Sequence, residues 1–267
     1  MKLRTAALAA VLVTSAPVPA QDQGVRLYAA GSLRSVMTEI AQAFSAAGAP
    51  PVSATFGASG LLRERIEKGE PAEVFASADL GNAQALARAG RSSAPVVFVR
   101  NRLCALAAPN VDVTTETLLE RMLDPRVKLG TSTPKADPSG DYAWQLFDKA
   151  EQVRPGAYAS LDAKALKLTG GPNSPAPVPG QSTYGALVRD GKADLVLTYC
   201  TNAIEAVREV QGARMVAIPA PLAVGASYGL TVLNDARPAA RQFALYVVSI
   251  PAQEIFARHG FAAVGAP

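Results

Sequence analysis

From Val25 onward, short apolar runs alternate with segments whose apolar positions recur at helical spacing. VRLYAA, PVSATF and AEVFASA read as strands. Between them, LRSVMTEIAQAF places Leu33, Val36, Met37, Ile40 and Phe44 on one helical face, and LLRERIEKG carries Leu61, Leu62 and Ile66 before Gly69 stops it. NAQALARAG reads as a third helix. The β-branched stretch APVVFVRNRLCALAA is long enough to cross from one domain into another. The alternation then resumes: TETLLERML is helical, VKLGTST a strand, and DYAWQLFDKAE a helix starting just after Pro138-Ser139-Gly140. ALKLTG reads as a strand, STYGALVRDGKA as a helix, and DLVLTYCTNA as a strand whose end lies at Tyr199. ARMVAIPA and the return strand SYGLTVL precede a helical C-terminal region, AARQFALYVVSI and AQEIFARHGF. Repeated β–α–β units predict an α/β chain of mostly parallel sheets flanked by helices. Residues 169–182, TGGPNSPAPVPGQS, have the composition of a surface loop, and the strand–helix rhythm resumes directly after them.

The first twenty residues do not share this rhythm. Lys2 and Arg4 precede the apolar run AALAAVLV, and TSAPVPA follows it. A short cationic region, a compact apolar segment and an A-x-A-like site predict a secretory signal peptide over residues 1–20, cleaved after Ala20. That run is too short to span a bilayer, and no later stretch is long and apolar enough to do so. Cleavage removes two basic charges and halves the formal net charge of +4, so basicity gives no argument for nucleic acid or anionic lipid. A chain that is 49% hydrophobic and 18% charged is neither disordered nor a coiled coil, and 267 residues accommodate one large or two modest α/β domains.

The scarce residues narrow the chemistry. His259 is the single histidine, which excludes most metal sites and every His-centred catalytic arrangement that does not use His259 itself. Its place in EIFARHGF is that of a helix-end residue. No HExxH, CxxC, G-x-S-x-G or P-loop pattern occurs, and FGASG lacks the spacing of a nucleophile elbow. Cys104 and Cys200 are the two cysteines; in an exported chain such an isolated pair reads as a disulfide, with two buried thiols as the alternative. Trp144 and Phe147 read as core, and the charges from Arg63 to Lys68 as a solvated helix face.

One coincidence of residue type stands out. Three strand-to-helix junctions carry Ser beside Gly: Gly31-Ser32, Ser59-Gly60 and Ser139-Gly140. Each places a hydroxyl and unpaired amides at the positive end of a helix dipole. Any one of them reads simply as a helix cap. Three together, at the strand ends where open α/β sheets bind ligands, point to an anion cradle made of neutral donors. Asp137 and Asp141 flank the third junction, read as helix N-terminal support, and are left out of the site.

LYAAGSLRSVM, TFGASGLLRERIEKGEPAEVFASAD and ADLVLTYCTNA resemble the periplasmic molybdate-binding proteins of ATP-driven importers, over essentially the whole mature chain. The resemblance implies a two-lobed periplasmic-binding-protein type II fold, each lobe a mostly parallel sheet flanked by helices with the ligand in the cleft between. It divides the chain into lobe I, residues 21–100 and 224–267, and lobe II, residues 101–223. It implies a monomeric periplasmic protein that binds molybdate, and tungstate with it, and hands the anion to an ABC permease in the inner membrane, without enzymatic activity, cofactor or nucleic acid. Carried over by position, the oxyanion contacts fall at Ser32 and Ser59 in the first lobe, and at Ser139, at Thr183 or Tyr184, and at Tyr199 in the second. The resemblance also places Cys104 and Cys200 on neighbouring antiparallel strands of lobe II. Two other readings stay open: the same fold binding another oxyanion or a small carboxylate, and a Ser-dependent hydrolase, for which the sequence shows no base.

Overall fold

The computed structural model describes residues 24–264. The expected signal peptide lies outside the described residues. In chain order the strands and helices are β1 (Val25–Ala30), α1 (Arg34–Ala46), β2 (Val52–Gly57), α2 (Ser59–Glu67), β3 (Val74–Ser77), α3 (Leu80–Arg88) and the long β4 (Val96–Ala107). Next come α4 (Leu118–Leu123), β5 (Leu129–Ser132), α5 (Pro138–Val153), α6 (Ala157–Lys164), β6 (Leu166–Thr169), α7 (Thr183–Arg189), β7 (Leu195–Tyr199) and α8 (Cys200–Glu209). β8 (Arg214–Ala217), β9 (Gly225–Val232), α9 (Pro238–Val247), α10 (Ile250–Arg258) and the two-residue β10 (Ala262–Ala263) complete the series. A short 3-10 turn, Gly31–Leu33, stands between β1 and α1.

The strands run in the order β2-β1-β3-β9-β4-β7-β5-β6. β1 is parallel to β2 and β3, and β5 is parallel to β6 and β7, which gives one parallel trio at each end. β4 joins them. From Val96 to Arg102 it lies antiparallel to β9, and from Leu103 to Ala107 it lies antiparallel to β7. β10 and β8 pair with its other edge, at Val99–Arg100 and at Cys104–Ala107. β4 is therefore paired on at least one edge throughout and on both edges at Val99–Arg100 and Cys104–Ala107.

Helix α1 buries the predicted stripe of Val36, Met37, Ile40 and Phe44, with Phe44 packed edge-on to Phe243 of α9 at 5.2 Å. Phe147 is buried, whereas Trp144 lies beside it and donates its indole N–H to Asp162 at 2.8 Å. Arg63 pairs with Glu67 one turn along α2 at 2.9 Å. Glu73, from the GEPAEVF motif, is a buried carboxylate 1% exposed. It accepts hydrogen bonds from the Arg237 guanidinium at 2.6 Å and from the Arg26 amide at 2.9 Å, tying β3 to the edge of β1 and to the start of α9. The Arg237 hydrogen bond holds the Glu73 carboxyl down at about 2. That stabilisation is complete above the ordinary carboxylate range and is lost as pH falls through about 2.

Two helices escape the apolar pattern. α6 buries little more than Ala157 and Leu161. The inner face of α8 is built of Cys200, Thr201, Asn202, Ala203 and Ala206. Its polar members are paired rather than exposed: Asn202 donates to Thr198 Oγ1 at 3.0 Å, and Asn101 donates to Thr201 Oγ1 at 2.9 Å. This helix corrects the expected placement of Cys200. The strand ends at Tyr199 and Cys200 is the first residue of α8, so the strand partner of Cys104 on β7 is Thr198. Cys104 and Cys200 are disulfide-bonded with their α-carbons 4.8 Å apart, closing a separation of 96 residues.

Closing a loop of that length stabilises by about 4–5 kcal/mol in the chain-entropy model. Reduction is therefore expected to lower the thermal midpoint by on the order of 10 °C. Intact mass after alkylation of exported, never-reduced protein should show no modified thiol under denaturing conditions. Two alkylations would overturn the bond.

Candidate functional site

A cleft of about 480 Å³ opens between the two halves of the sheet. One wall is the strand-to-helix junctions after β1 and β2, together with Ala78. The other is Asp137, Thr169-Gly170, residues 177–184, Tyr199, and Asn202, Glu205, Arg208 and Glu209 of α8. Ser32, Ser59, Thr183 and Tyr199 all line it.

Ser59 is buried, at the first position of α2. The residue before it, Ala58, occupies the cap position and no side chain caps the helix. Ser59 Oγ instead accepts the Ala78 amide at 3.0 Å, which occupies a lone pair and leaves the hydroxyl proton for a ligand. Tyr199, buried at the end of β7, donates its hydroxyl to the Ala78 carbonyl over a long 3.4 Å. The peptide groups on either side of the Ala78 α-carbon are thus held by one residue from each wall. Burial pushes the Tyr199 phenol well above its ordinary range, so it remains a neutral donor. Its ring lies 5.5 Å from that of Tyr228 and 6.2 Å from that of Tyr142.

Ser32 sits in the 3-10 turn, and its Oγ is 3.0 Å from the Tyr228 hydroxyl. Tyr228 also accepts from Asn101 Nδ2 at 3.4 Å, and Asn101 in turn reaches Thr201 on α8. A polar chain therefore runs behind the cleft from the first wall to the second. Thr183 begins α7 and leaves the capping to Ser182, whose Oγ accepts the Gly185 amide at 3.0 Å. Tyr184 meets Ser132 at 3.0 Å, and Ser132 meets Thr169 at the same distance.

Ser139 does not line the cleft. It is fully buried in the first turn of α5, and its Oγ has no hydrogen-bond partner. The cap of α5 is Asp137, whose Oδ1 accepts the Ser139 amide at 3.0 Å. Asp137 is the residue that reaches the cleft wall. Burial raises its carboxyl to about 6 against the opposing hydrogen bonds from Ser139 and Ser132. The sequence signal was available, because D-P-S-G after a strand is an N-cap followed by Pro at the first helical position.

Charged groups lie around this donor set. Arg34, Glu205, Arg208, Glu209 and His259 also line the cleft. Arg34 stacks over Phe56 at 4.8 Å, Glu209 accepts the Ser182 amide at 2.7 Å, and His259 caps the end of α10 with Nε2 2.7 Å from Glu39. Among the described residues no cluster of three or more His, Cys, Asp or Glu could hold a metal ion. The two walls also touch directly: the Gly60 amide donates to the Ala136 carbonyl at 2.9 Å. A β-carbon at position 60 would stand 2.5 Å from the Lys135 carbonyl oxygen and 2.7 Å from that of Ala136.

Residues 25–262 match the family described as bacterial extracellular solute-binding protein. An uncharacterized protein of Pasteurella multocida (strain Pm70) is 36% identical over 211 residues, 79% of this chain and 87% of that one. The molybdate-binding protein ModA of Mycobacterium tuberculosis (strain H37Rv) is 27% identical over 256 residues, covering 90% of this chain and 86% of that one. Among solved structures, the periplasmic molybdate-binding protein of Azotobacter vinelandii superposes with a TM-score of 0.73 at 18% identity, over 90% of this chain and 99% of that one. The sulfate-binding protein SubI of Mycobacterium tuberculosis H37Rv superposes with a TM-score of 0.74 at 18% identity, over 91% and 87%. These structural likenesses show the two-lobed periplasmic binding-protein fold.

Ser32→Ala and Ser59→Ala should each weaken oxyanion binding about ten- to a hundred-fold, the loss of one hydrogen bond to a charged ligand. Calorimetric titration with molybdate measures it, and unchanged affinity in both would reduce the two serines to a structural role. Tyr199→Phe keeps the ring and removes the donor, so affinity should fall with little change in thermal midpoint. A variant with a lower midpoint and intact affinity would mean that the Ala78 carbonyl is the hydroxyl's whole purpose.

Proposed function

Because the chain belongs to the bacterial extracellular solute-binding proteins, we propose that it captures a tetrahedral oxyanion, molybdate and with it tungstate, in the periplasm and delivers it to an ABC permease. The observation that carries the reading is the convergence of neutral donors, Ser32, Ser59, Thr183 and Tyr199, on one cleft between two parallel trios of strands. Molybdate is doubly ionised at neutral pH and accepts hydrogen bonds only, which suits a site of hydroxyls and amides. Relatives named as molybdate-binding proteins at 27% identity support the choice of anion.

In this reading lobe I comprises residues 21–100 and 224–267, lobe II comprises residues 101–223, and the two close around the anion as a hinge. Ser32 and Ser59 hold it from lobe I; Thr183 and Tyr199 hold it from lobe II. The role is binding and transfer, without a chemical step. A second reading exchanges molybdate for sulfate, favoured by the equal likeness of the fold to a sulfate-binding protein. Both anions are acceptors only, so cavity size separates them.

Thermal melting with a panel of oxyanions decides between these readings. A ligand at a hundred times its Kd adds about 2.7 kcal/mol to stability, a shift of several degrees for a chain of this size. Molybdate and tungstate should raise the midpoint, and sulfate and phosphate at equal concentration should not. A shift with sulfate alone would transfer the assignment, and no shift with any oxyanion would remove it.

A further inference from the structure

A site made for a fully ionised oxyanion has no use for an acceptor-only side chain, yet Asp137 lines this cleft. Its position is fixed from two directions. Oδ1 is held by the Ser139 amide at 3.0 Å. Gly170, at φ +72°, packs so closely that a β-carbon there would stand 2.4 Å from Oδ2. The neighbouring Ala136 carbonyl receives the Gly60 amide across the cleft, which holds this part of the wall against the Ser59 junction. The groups acting most directly on Asp137 are Asp141 on its own helix, Asp79 from the opposite half, and the Tyr184 and Tyr199 phenols; Lys135 lies two residues away in the chain, and Arg34, Glu205, Arg208, Glu209 and His259 line the same cleft.

We propose that Asp137 couples anion capture to proton uptake: one proton moves from solvent to its carboxylate as the oxyanion enters, and the resulting O–H donates to the anion. No bond of the anion is broken. Burial already brings the empty site's carboxyl to about 6, so neutral solution lies within reach of protonation. A dianion alongside moves it further up, because like charge disfavours ionisation. The sign follows. Affinity is level below about pH 6 and falls by up to tenfold per pH unit above it, until the pKa of the occupied site is passed. The inference rests on the reading of the cleft as an oxyanion site.

Titration calorimetry at pH 7.5 in three buffers of different ionisation enthalpy counts the protons taken up. Molybdate, sulfate and inorganic phosphate are each titrated, and any anion that binds is read in the same way. Wild-type protein should take up close to one proton per anion, and Asp137→Asn close to none, with its affinity level from pH 6 to 9. Asparagine caps a helix as well as aspartate does, so the variant should fold, and its thermal midpoint checks this. Binding to wild-type protein without proton uptake, or equal uptake by the variant, would overturn the proposal alone. Binding of none of the three anions would overturn it together with the oxyanion reading.

Discussion

β4 is the constraint on which the rest of the molecule depends. Twelve consecutive residues serve two sets of neighbours, β9 and β10 before Leu103, and β7 and β8 after it. The strand is paired along its whole length, to β9 and then to β7, so neither half of the sheet can drift away without breaking ladder hydrogen bonds. One parallel trio is joined to this strand through β9 and the other directly through β7, and the space between their helix starts is the cleft. The disulfide adds to this: Cys104 lies just past the change of neighbours, and Cys200 immediately follows Tyr199. The side chain that crosses to the opposite wall is therefore anchored to the spine within one residue.

The cleft is assembled from short-range consequences of the β–α junction. At each junction the chain must turn sharply, which favours small residues, and the helix start offers amides that need acceptors. In lobe I the two serines are released from capping. Ser59 is occupied by the Ala78 amide and Ser32 by Tyr228, so their hydroxyls are oriented rather than spent on the helix. In lobe II the same duty falls on Asp137 and Ser182, which cap α5 and α7. The two walls thus differ in character. One presents small neutral donors beside Arg34 and His259, and the other brings a carboxyl group and a proline-rich loop.

Much of this was legible in the sequence because strand and helix periods differ so clearly. The stripe of α1 and the long apolar run of β4 follow directly from the pattern, as does the end of β7 at Tyr199. α8 did not follow, because its inner face is made of Thr201, Asn202 and small residues that pair with one another instead of forming an apolar stripe. Ser32 and Ser59 were singled out by type and position, Thr183 and Tyr199 by the resemblance alone, and all four line the cleft. Ser139 was singled out by the same rule and lies sealed within the first turn of α5. Proximity to a helix start does not reveal which way a side chain turns. That depends on which residue has taken the cap, and here the cap is the neighbour that had been set aside.

The contact at Gly60 has a consequence for how the molecule could be handled. Its hydrogen lies against the backbone of residues 135–136, a surface that cannot yield by rotating a side chain. The smallest possible addition, one methyl group, is therefore a doorstop between the lobes. It sits beside the Ser59 hydroxyl without removing it. Gly60→Ala would keep both walls chemically complete while propping them apart, and so yield a protein with every cleft side chain in place and no means of bringing the two walls together.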